Sequence, residues 1–290
     1  MPKSEKTTII EALFDKRWKG PGKPLSGPIV TLDHVQKALT DHNRANPSHR
    51  LSTRNPANFF KDFIRKRRSA NANWPPSVLK RGFTARQVTG KGQCFEFVLL
   101  PPGQKEPFPA GAIHPRKKTP THDMQSASMP IASRRMGRRD EAWLIQVISR
   151  LHIIETHLAL HGPATFLQVD LLQTNVKLAR AEIDAVFLAL EEPVLTGQPP
   201  REAIITCEAK GLADDIIPDQ VLAQVKAAFT MEGLTQDKIV PLAAKAVAPS
   251  TIHVVQFSSV SRKEAPLLSA LSVQSDALYR LVPPVPGIGR

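Results

Sequence analysis

Two stretches decide the fold of the C-terminal half of this chain: EIDAVFLAL at residues 182–190 and AIITCEAK at residues 203–210. Each carries an apolar run of the length expected for a buried strand. Because side chains alternate along a strand, Glu208 and Lys210 share one face of the second stretch. A carboxylate on a buried strand loses its hydration, so Asp184 and Glu208 each require a partner or a metal ion.

Helices and further strands are predicted around these two stretches. The predicted order is a helix over 141–161, strands over 165–172, 182–190 and 203–210, a helix over 218–231, and strands over 239–247 and 252–257. The proline-rich tail, residues 283–287, is predicted as a poorly ordered end.

The first hundred residues show short helices followed by a hairpin. The pattern predicts a helix over 8–19 and a second helix that follows the N-cap residue Thr31 and runs to about residue 42. A third helix is predicted from residue 55 or 56 to residue 68. Two strand-like runs within 83–100 flank a glycine-containing connection, which predicts a β-hairpin.

Residues 101–139 differ in composition from the segments on either side. They contain seven prolines among Gly, Ser, Lys and Arg, without periodic apolar positions, which is typical of a connector. We therefore expect an α/β (α+β) protein with three parts: an N-terminal domain over 1–100, a basic linker over 101–139 and a C-terminal domain over 140–290.

The charge is large and unevenly distributed. The formal net charge is +13, and residues 1–140 contain 27 Lys and Arg against 10 Asp and Glu. Residues 141–290 contain 12 basic against 16 acidic residues, so the first half carries +17 and the second −4. A basic half favours a polyanionic partner, whereas the acidic half holds the carboxylates that metal chemistry requires.

The remaining composition indicates a soluble cytoplasmic protein. The N-terminus is polar, and no apolar stretch approaches the roughly 18 residues of a membrane span. Cys94 and Cys207 lie far apart in apolar surroundings, which favours buried free thiols in a reducing compartment. Five histidines show no metal-ligand spacing, namely His114, His122, His152, His157 and His161.

The N-terminal pattern of helix, helix, basic helix and hairpin resembles a winged-helix DNA-binding domain over about residues 8–100. In that family the third helix enters the major groove and the hairpin contacts the DNA backbone. The resemblance places eight basic residues near DNA: Arg65, Lys66, Arg67, Arg68, Lys80, Arg81, Arg86 and Lys91. The alternative is that the run at 65–68 is a solvated helix end, where cations favour the helix dipole.

The C-terminal pattern resembles the PD-(D/E)xK nuclease superfamily over about residues 140–257. Asp184 matches the first acid, although Ile183 stands where many members have proline, and Glu208-Ala209-Lys210 matches the second acid, spacer and lysine. The resemblance implies that Asp184 and Glu208 hold Mg²⁺ with the Ala209 carbonyl, and that Lys210 orients the attacking water. The alternative makes Glu208 and Lys210 a surface ion pair.

Two further residues are candidates for the site. Glu155 falls within the apolar stripe of the predicted helix 141–161, and many relatives carry a supporting acid on this helix; the alternative places Glu155 at the edge of the stripe in water. Gln220 and Gln224 lie one turn apart on the predicted helix after Lys210, and Gln224 matches a position that often contacts the active site or DNA.

Together the two patterns resemble type II restriction endonucleases. The resemblance implies Mg²⁺-dependent hydrolysis of phosphodiester bonds at a specific duplex DNA sequence by a homodimer. One alternative is another nuclease of the superfamily with a repair, junction-resolving or modification-dependent role. A second is a winged-helix regulator whose nuclease domain is inactive.

Overall fold

The computed structural model describes residues 4–48, 50–64, 67–88, 92–108, 112–178, 181–193, 197–268 and 270–289. The chain divides into two compact units, Met1–Ala110 and Gly111–Arg290. Three of the predicted DNA-binding residues, Arg65, Lys66 and Lys91, lie outside the described residues, as do the side chains of Arg67 and Arg68.

The first unit combines short helices with a three-stranded antiparallel sheet of order β1-β3-β2. Its elements are α1 (Glu5–Asp15), β1 (Ile29–Thr31), α2 (Leu32–Ala45), α3 (Asn58–Ile64), α4 (Arg67–Asn73), α5 (Pro76–Lys80), β2 (Phe83–Gln87) and β3 (Gln93–Leu99).

Local signals explain the elements that the sequence predicted in this unit. The Thr31 hydroxyl accepts a hydrogen bond from the backbone of His34, whose ring accepts one from the Thr31 backbone, so a capping box begins α2 where it was predicted. The predicted hairpin is confirmed by the β2–β3 pairing. The predicted third helix corresponds to α3 and α4, which lie on either side of residues 65–66, outside the described residues. Elements β1 and α5 were not predicted because each is too short for a periodic signal.

The second unit contains one mixed sheet of order β4-β11-β9-β8-β7-β6-β5, with β10 paired to β8. The β7–β8 and β11–β4 pairs are parallel, and the other described pairs are antiparallel. Its elements are β4 (Thr121–Gln125), α6 (Ile131–Arg135), α7 (Glu141–Arg150), α8 (Ile153–His161), β5 (Phe166–Lys177), β6 (Glu182–Glu191), β7 (Arg201–Lys210), α9 (Pro218–Ala228), β8 (Lys238–Ala248), β9 (Thr251–Phe257), β10 (Val260–Ser261) and β11 (Val273–Val282).

The predicted linker is partly a structural element of the second unit. Within 101–139 the structure forms β4 and α6, and β4 pairs in parallel with β11. Strand β4 lies at the edge of the sheet and pairs with one neighbour, so its side chains alternate only between exposed and half-buried. Its alternation of apolar and polar residues is therefore short and weak in the sequence. The prediction of a connector over this whole range therefore differs from the structure.

The C-terminal tail also differs from its prediction. Val285 and Ile288 are each 1% exposed, and the Trp143 indole N–H donates to the carbonyl oxygen of Pro286 at 2.9 Å. The proline content of this segment predicted a poorly ordered end, but the segment packs against α7 and is ordered. Strand β11, which precedes the tail, was not predicted either.

The predicted helix over 141–161 is interrupted at His152. This residue adopts a left-handed backbone conformation with φ of 52°, so α7 ends before it and α8 begins after it. The apolar stripe continues across the break in the sequence, since both helices bury their apolar residues in one core cluster. The prediction of one continuous helix over 141–161 is therefore wrong at His152, although apolar residues on both sides, such as Ile148 and Leu158, are buried.

Among the described residues, no helix has the length and apolar content that crossing a membrane requires.

Candidate functional site

Strands β6 and β7 bring the two predicted acids together. Ala185 pairs with Cys207 in antiparallel register, so Asp184 and Glu208 lie one step beyond this pair on facing positions. Facing residues of an antiparallel pair project from the same side of the sheet. The buried apolar runs on both strands hold this register, because a slip of one residue would turn the apolar side chains to the opposite face.

Direct contacts join Asp184, Glu208, Lys210 and Gln224. The Asp184 Oδ2 atom accepts a hydrogen bond from the Ala209 N–H at 2.7 Å. The Glu208 carboxylate is 2% exposed and contacts both the Lys210 ammonium and the Gln224 amide. Gln224 in α9 also donates to the carbonyl oxygen of Glu182 at 2.7 Å, which fixes its side chain over β6. The four predicted residues therefore form one cluster.

The electrostatics of the cluster disfavour the charged form of Asp184 and favour that of Lys210. Burial, followed by the nearby Glu208 carboxylate, raises the pKa of Asp184, although the Ala209 hydrogen bond and Lys210 oppose this shift. Burial alone would lower the pKa of Lys210, but Glu208, Glu141 and Asp184 outweigh it and the net shift is upward. Lys210 is thus held as an ammonium group, while ionisation of Asp184 is disfavoured.

The backbone of Ala209 also contacts the cluster. In an antiparallel pair the N–H and C=O groups of a strand residue point to the same neighbour. Since the Ala209 N–H points to Asp184, the Ala209 carbonyl is directed towards β6 as well. Two carboxylates and a carbonyl are hard oxygen ligands of the kind that Mg²⁺ prefers. Among the described residues no group of three or more His, Cys, Asp and Glu side chains is arranged to hold a metal ion.

A cleft of about 550 Å³ opens beside Asp184 between α7, β5 and β6. Arg138, Glu141 and Arg150 line it with Asp184, and the Glu141 Oε1 atom lies 3.6 Å from the Lys210 ammonium. These three lining residues were not predicted. A local sequence signal could have located Glu141. Asp140 is an N-cap residue that accepts a 2.9 Å hydrogen bond from the Trp143 N–H, which places Glu141 in the first turn of α7.

Glu155 is placed differently from the other predicted site residues. Its Oε1 atom lies 2.9 Å from His152 Nδ1, in an ion pair between positions three residues apart. Within the described part of the chain Glu155 makes no ion pair with Lys210, and the acid from this helical region that reaches Lys210 is Glu141. The break at His152 explains the difference, because Glu155 belongs to α8 rather than to α7.

Three of the predicted DNA contacts have described side chains, and these are exposed on the first unit: Lys80, Arg81 and Arg86. Lys80 ends α5 and is exposed. Arg81 forms an ion pair with Asp15 and stacks over the Trp18 ring at 5.2 Å, whereas Arg86 pairs with Glu96 across β2 and β3 at 2.8 Å. Arg81 and Arg86 therefore have partners within the unit, and their charges are partly compensated.

Comparisons of the chain with protein-family models, with curated proteins and with solved structures gave no significant match.

Proposed function

We propose that this protein is a Mg²⁺-dependent DNA endonuclease of the PD-(D/E)xK type. The observation that carries the proposal is the convergence of Asp184, Glu208 and Lys210 on neighbouring strands beside an open cleft. A structural ion pair needs one acid and one base. Here the half-buried Asp184 adds a second carboxylate, whose negative charge is costly without a cation and is useful where a cation binds.

Each residue of the cluster has a role in this proposal. Asp184, Glu208 and the Ala209 carbonyl hold the metal ion, which when bound polarises the scissile phosphate and acidifies a bound water. Lys210 positions the attacking water and offsets the charge that develops on the phosphoryl oxygens. Gln224 holds the Glu208 carboxylate in place, and Glu141 orients the Lys210 ammonium from the opposite side.

The cleft supports a phosphodiester as the substrate. Arg138 and Arg150 lie on the same cleft as Asp184, and both side chains are exposed. Guanidinium groups bind phosphate oxygens in a bidentate manner. We infer that they contact phosphates next to the scissile one, which would position the strand over Asp184.

The first unit supports duplex DNA as the polymer. Helices α1 to α5 precede its β2–β3 hairpin and the sheet order is β1-β3-β2, which is compatible with a winged helix, in which helices precede a two-stranded wing. Residues 1–110 contain 20 Lys and Arg against 8 Asp and Glu, so this unit attracts phosphate strongly. A DNA-reading unit joined to a nuclease unit is the plan of a type II restriction endonuclease, and we propose that class, acting as a homodimer in the cytoplasm.

Digestion of unmethylated phage DNA with Mg²⁺, followed by sequencing of the ends, tests the proposal. We expect discrete cut sites for the wild-type protein. Asp184→Ala and Lys210→Ala should each abolish cleavage while DNA binding stays within a few fold, because neither residue belongs to the basic first unit. Asp237→Ala is the matched control, since this carboxylate is 92% exposed and distant in sequence from the cluster.

Three results would contradict parts of the proposal. Full cleavage by either site variant would reject the site. Cutting restricted to branched or methylated DNA would reject restriction in favour of a related nuclease. Sequence-specific binding without any Mg²⁺-dependent cleavage would indicate a regulator with an inactive nuclease domain.

A further inference from the structure

A second cluster of polar side chains lies where α8 packs on β4 and β11. His157 and His161 are one helical turn apart on α8, His122 lies on the edge strand β4, and Tyr279 lies on β11. These strands belong to the end of the sheet opposite β5, whereas the candidate nuclease site is formed on β6 and β7. The proposed endonuclease activity uses none of these residues.

Two imidazole nitrogens point directly at each other in this cluster. The Nε2 atoms of His122 and His161 are 2.8 Å apart, and their ring centroids are 5.0 Å apart. At this separation one nitrogen donates a proton and the other accepts it. At least one imidazole therefore presents an unprotonated Nε2 lone pair to the space between the rings.

The surroundings hold both rings in this arrangement. His122 lies beside Tyr279 in the parallel β4–β11 register, with ring centroids 5.6 Å apart. His157 is fully buried and uses both of its nitrogens, at 3.0 Å from the Tyr279 hydroxyl and at 3.2 Å from the Ser275 hydroxyl. Its ring packs 5.2 Å from the His161 ring. His157 thus packs against the His161 ring, and both of its own nitrogens already have partners.

We propose that His122 and His161 form a binding site for a divalent transition metal such as Zn²⁺, Ni²⁺ or Cu²⁺. Neutral imidazole nitrogen is a preferred ligand of these ions. Two nitrogens bound to one tetrahedral Zn²⁺ at about 2.1 Å would lie about 3.4 Å apart, so the rings need to separate by only about half an ångström. Both side chains are partly exposed, which leaves the other coordination positions to water or to a further ligand.

The ligand chemistry separates this site from the carboxylate cluster. Nitrogen ligands select Zn²⁺, Ni²⁺ and Cu²⁺, whereas carboxylate and carbonyl oxygens suit Mg²⁺. The two histidines are 39 residues apart in the sequence and come from different elements. The parallel pairing of β4 with β11, and the packing of α8 on β11, bring them together.

Isothermal titration of the full chain with Zn²⁺, in millimolar Mg²⁺ to saturate oxygen sites, tests the proposal. We expect one Zn²⁺ per chain. His122→Gln and His161→Gln should each weaken binding at least about tenfold, since removing one of two ligands leaves a single imidazole. His152→Gln is the matched control, because this histidine is exposed and lies outside the cluster. Asp184→Asn should leave Zn²⁺ binding unchanged.

A second measurement keeps the test decisive if a variant fails to fold. Electron paramagnetic resonance of the intact protein with one equivalent of Cu²⁺ should show coupling to two imidazole nitrogens. Circular dichroism establishes which variants keep the fold. The proposal is overturned if folded His122→Gln and His161→Gln bind Zn²⁺ as the wild type does, or if the Cu²⁺ spectrum shows only oxygen ligands.

Discussion

At the scale of single residues, Asp184 has the most unusual environment of the candidate site. Its carboxyl group is half-buried and lies beside Glu208, and desolvation followed by the Glu208 charge raises its pKa. The Ala209 N–H and the Lys210 ammonium offset only part of this cost. The fold therefore keeps two acids close together although their repulsion does not stabilise it. Such an arrangement is more typical of a functional site than of a stabilising contact.

The raised pKa of Asp184 predicts how stability depends on pH in the metal-free protein. Above the ordinary pKa of an aspartate and below the raised one, the folded chain holds a proton that the unfolded chain releases. Stability should thus fall as pH rises through that window. Urea unfolding in EDTA at a series of pH values measures the decline, and Asp184→Asn should flatten it. An unchanged slope in Asp184→Asn, with Asp237→Asn as control, would reject the assignment.

The two acids of the helical region make opposite predictions. Glu141 lies 3.6 Å from the Lys210 ammonium, whereas Glu155 pairs with His152. If the proposed function holds, Glu141→Gln should lower the cleavage rate at least about tenfold, because the Lys210 ammonium loses one of its two carboxylate contacts. Glu155→Gln should cleave within about twofold of the wild type. The reverse ranking in single-turnover cleavage assays would restore Glu155 to the site.

At the scale of elements, the start of α7 positions one wall of the candidate site. Asp140 accepts a hydrogen bond from the Trp143 N–H, and the Trp143 indole anchors the tail through Pro286. The helix therefore begins at a fixed point, with Glu141 in its first turn facing Lys210. At the other end, the left-handed backbone conformation of His152 ends α7, so Glu155 lies on α8 and not on the helix that carries Glu141.

Removal of the α7 cap should act on stability and on the site together. Asp140→Ala leaves the Trp143 N–H without its acceptor, and we expect the free energy of unfolding to fall by about 1 kcal/mol. Asp140→Asn keeps an acceptor and should retain most of the stability. Urea titration compares the two variants, and equal stability of Asp140→Ala and the wild type would contradict the role of the cap.

At the scale of the whole molecule, charge is divided between the two units. The first unit, Met1–Ala110, carries most of the excess of basic residues, with 20 Lys and Arg against 8 Asp and Glu. The second contains 19 basic and 18 acidic residues, so it is close to neutral once the segment predicted as a linker is counted with it. Attraction to DNA is therefore expected to come mainly from the first unit.

Basic residues of the first unit should control DNA affinity without affecting the chemical step. Arg67→Ala with Arg68→Ala should weaken binding about uniformly across sequences and reduce the salt slope by about 0.9 for each phosphate that is no longer neutralised. Fluorescence anisotropy at several salt concentrations measures this slope. Lys263→Ala in the second unit is the control. An unaltered slope in the double variant would place the DNA surface elsewhere.

The sequence by itself predicted the elements whose signals are local. Alternation and buried runs identified β6 and β7, a capping residue identified α2, and a glycine-containing connection identified the β2–β3 hairpin. Strand alternation also placed Glu208 and Lys210 on one face. These features depend on residues close in the chain, whose geometry is fixed by backbone periodicity and hydrogen bonding.

Only the tertiary structure decided which distant residues meet. The β6–β7 register places Asp184 opposite Glu208, and α9 brings Gln224 into contact with the Glu208 carboxylate. The start of α7 places Glu141, rather than Glu155, beside Lys210. The same holds for the edge strand β4, whose pairing with β11 also brings His122 to His161. The physical reason is that such contacts depend on the packing of whole elements, and a single backbone break, as at His152, changes them without altering the local pattern.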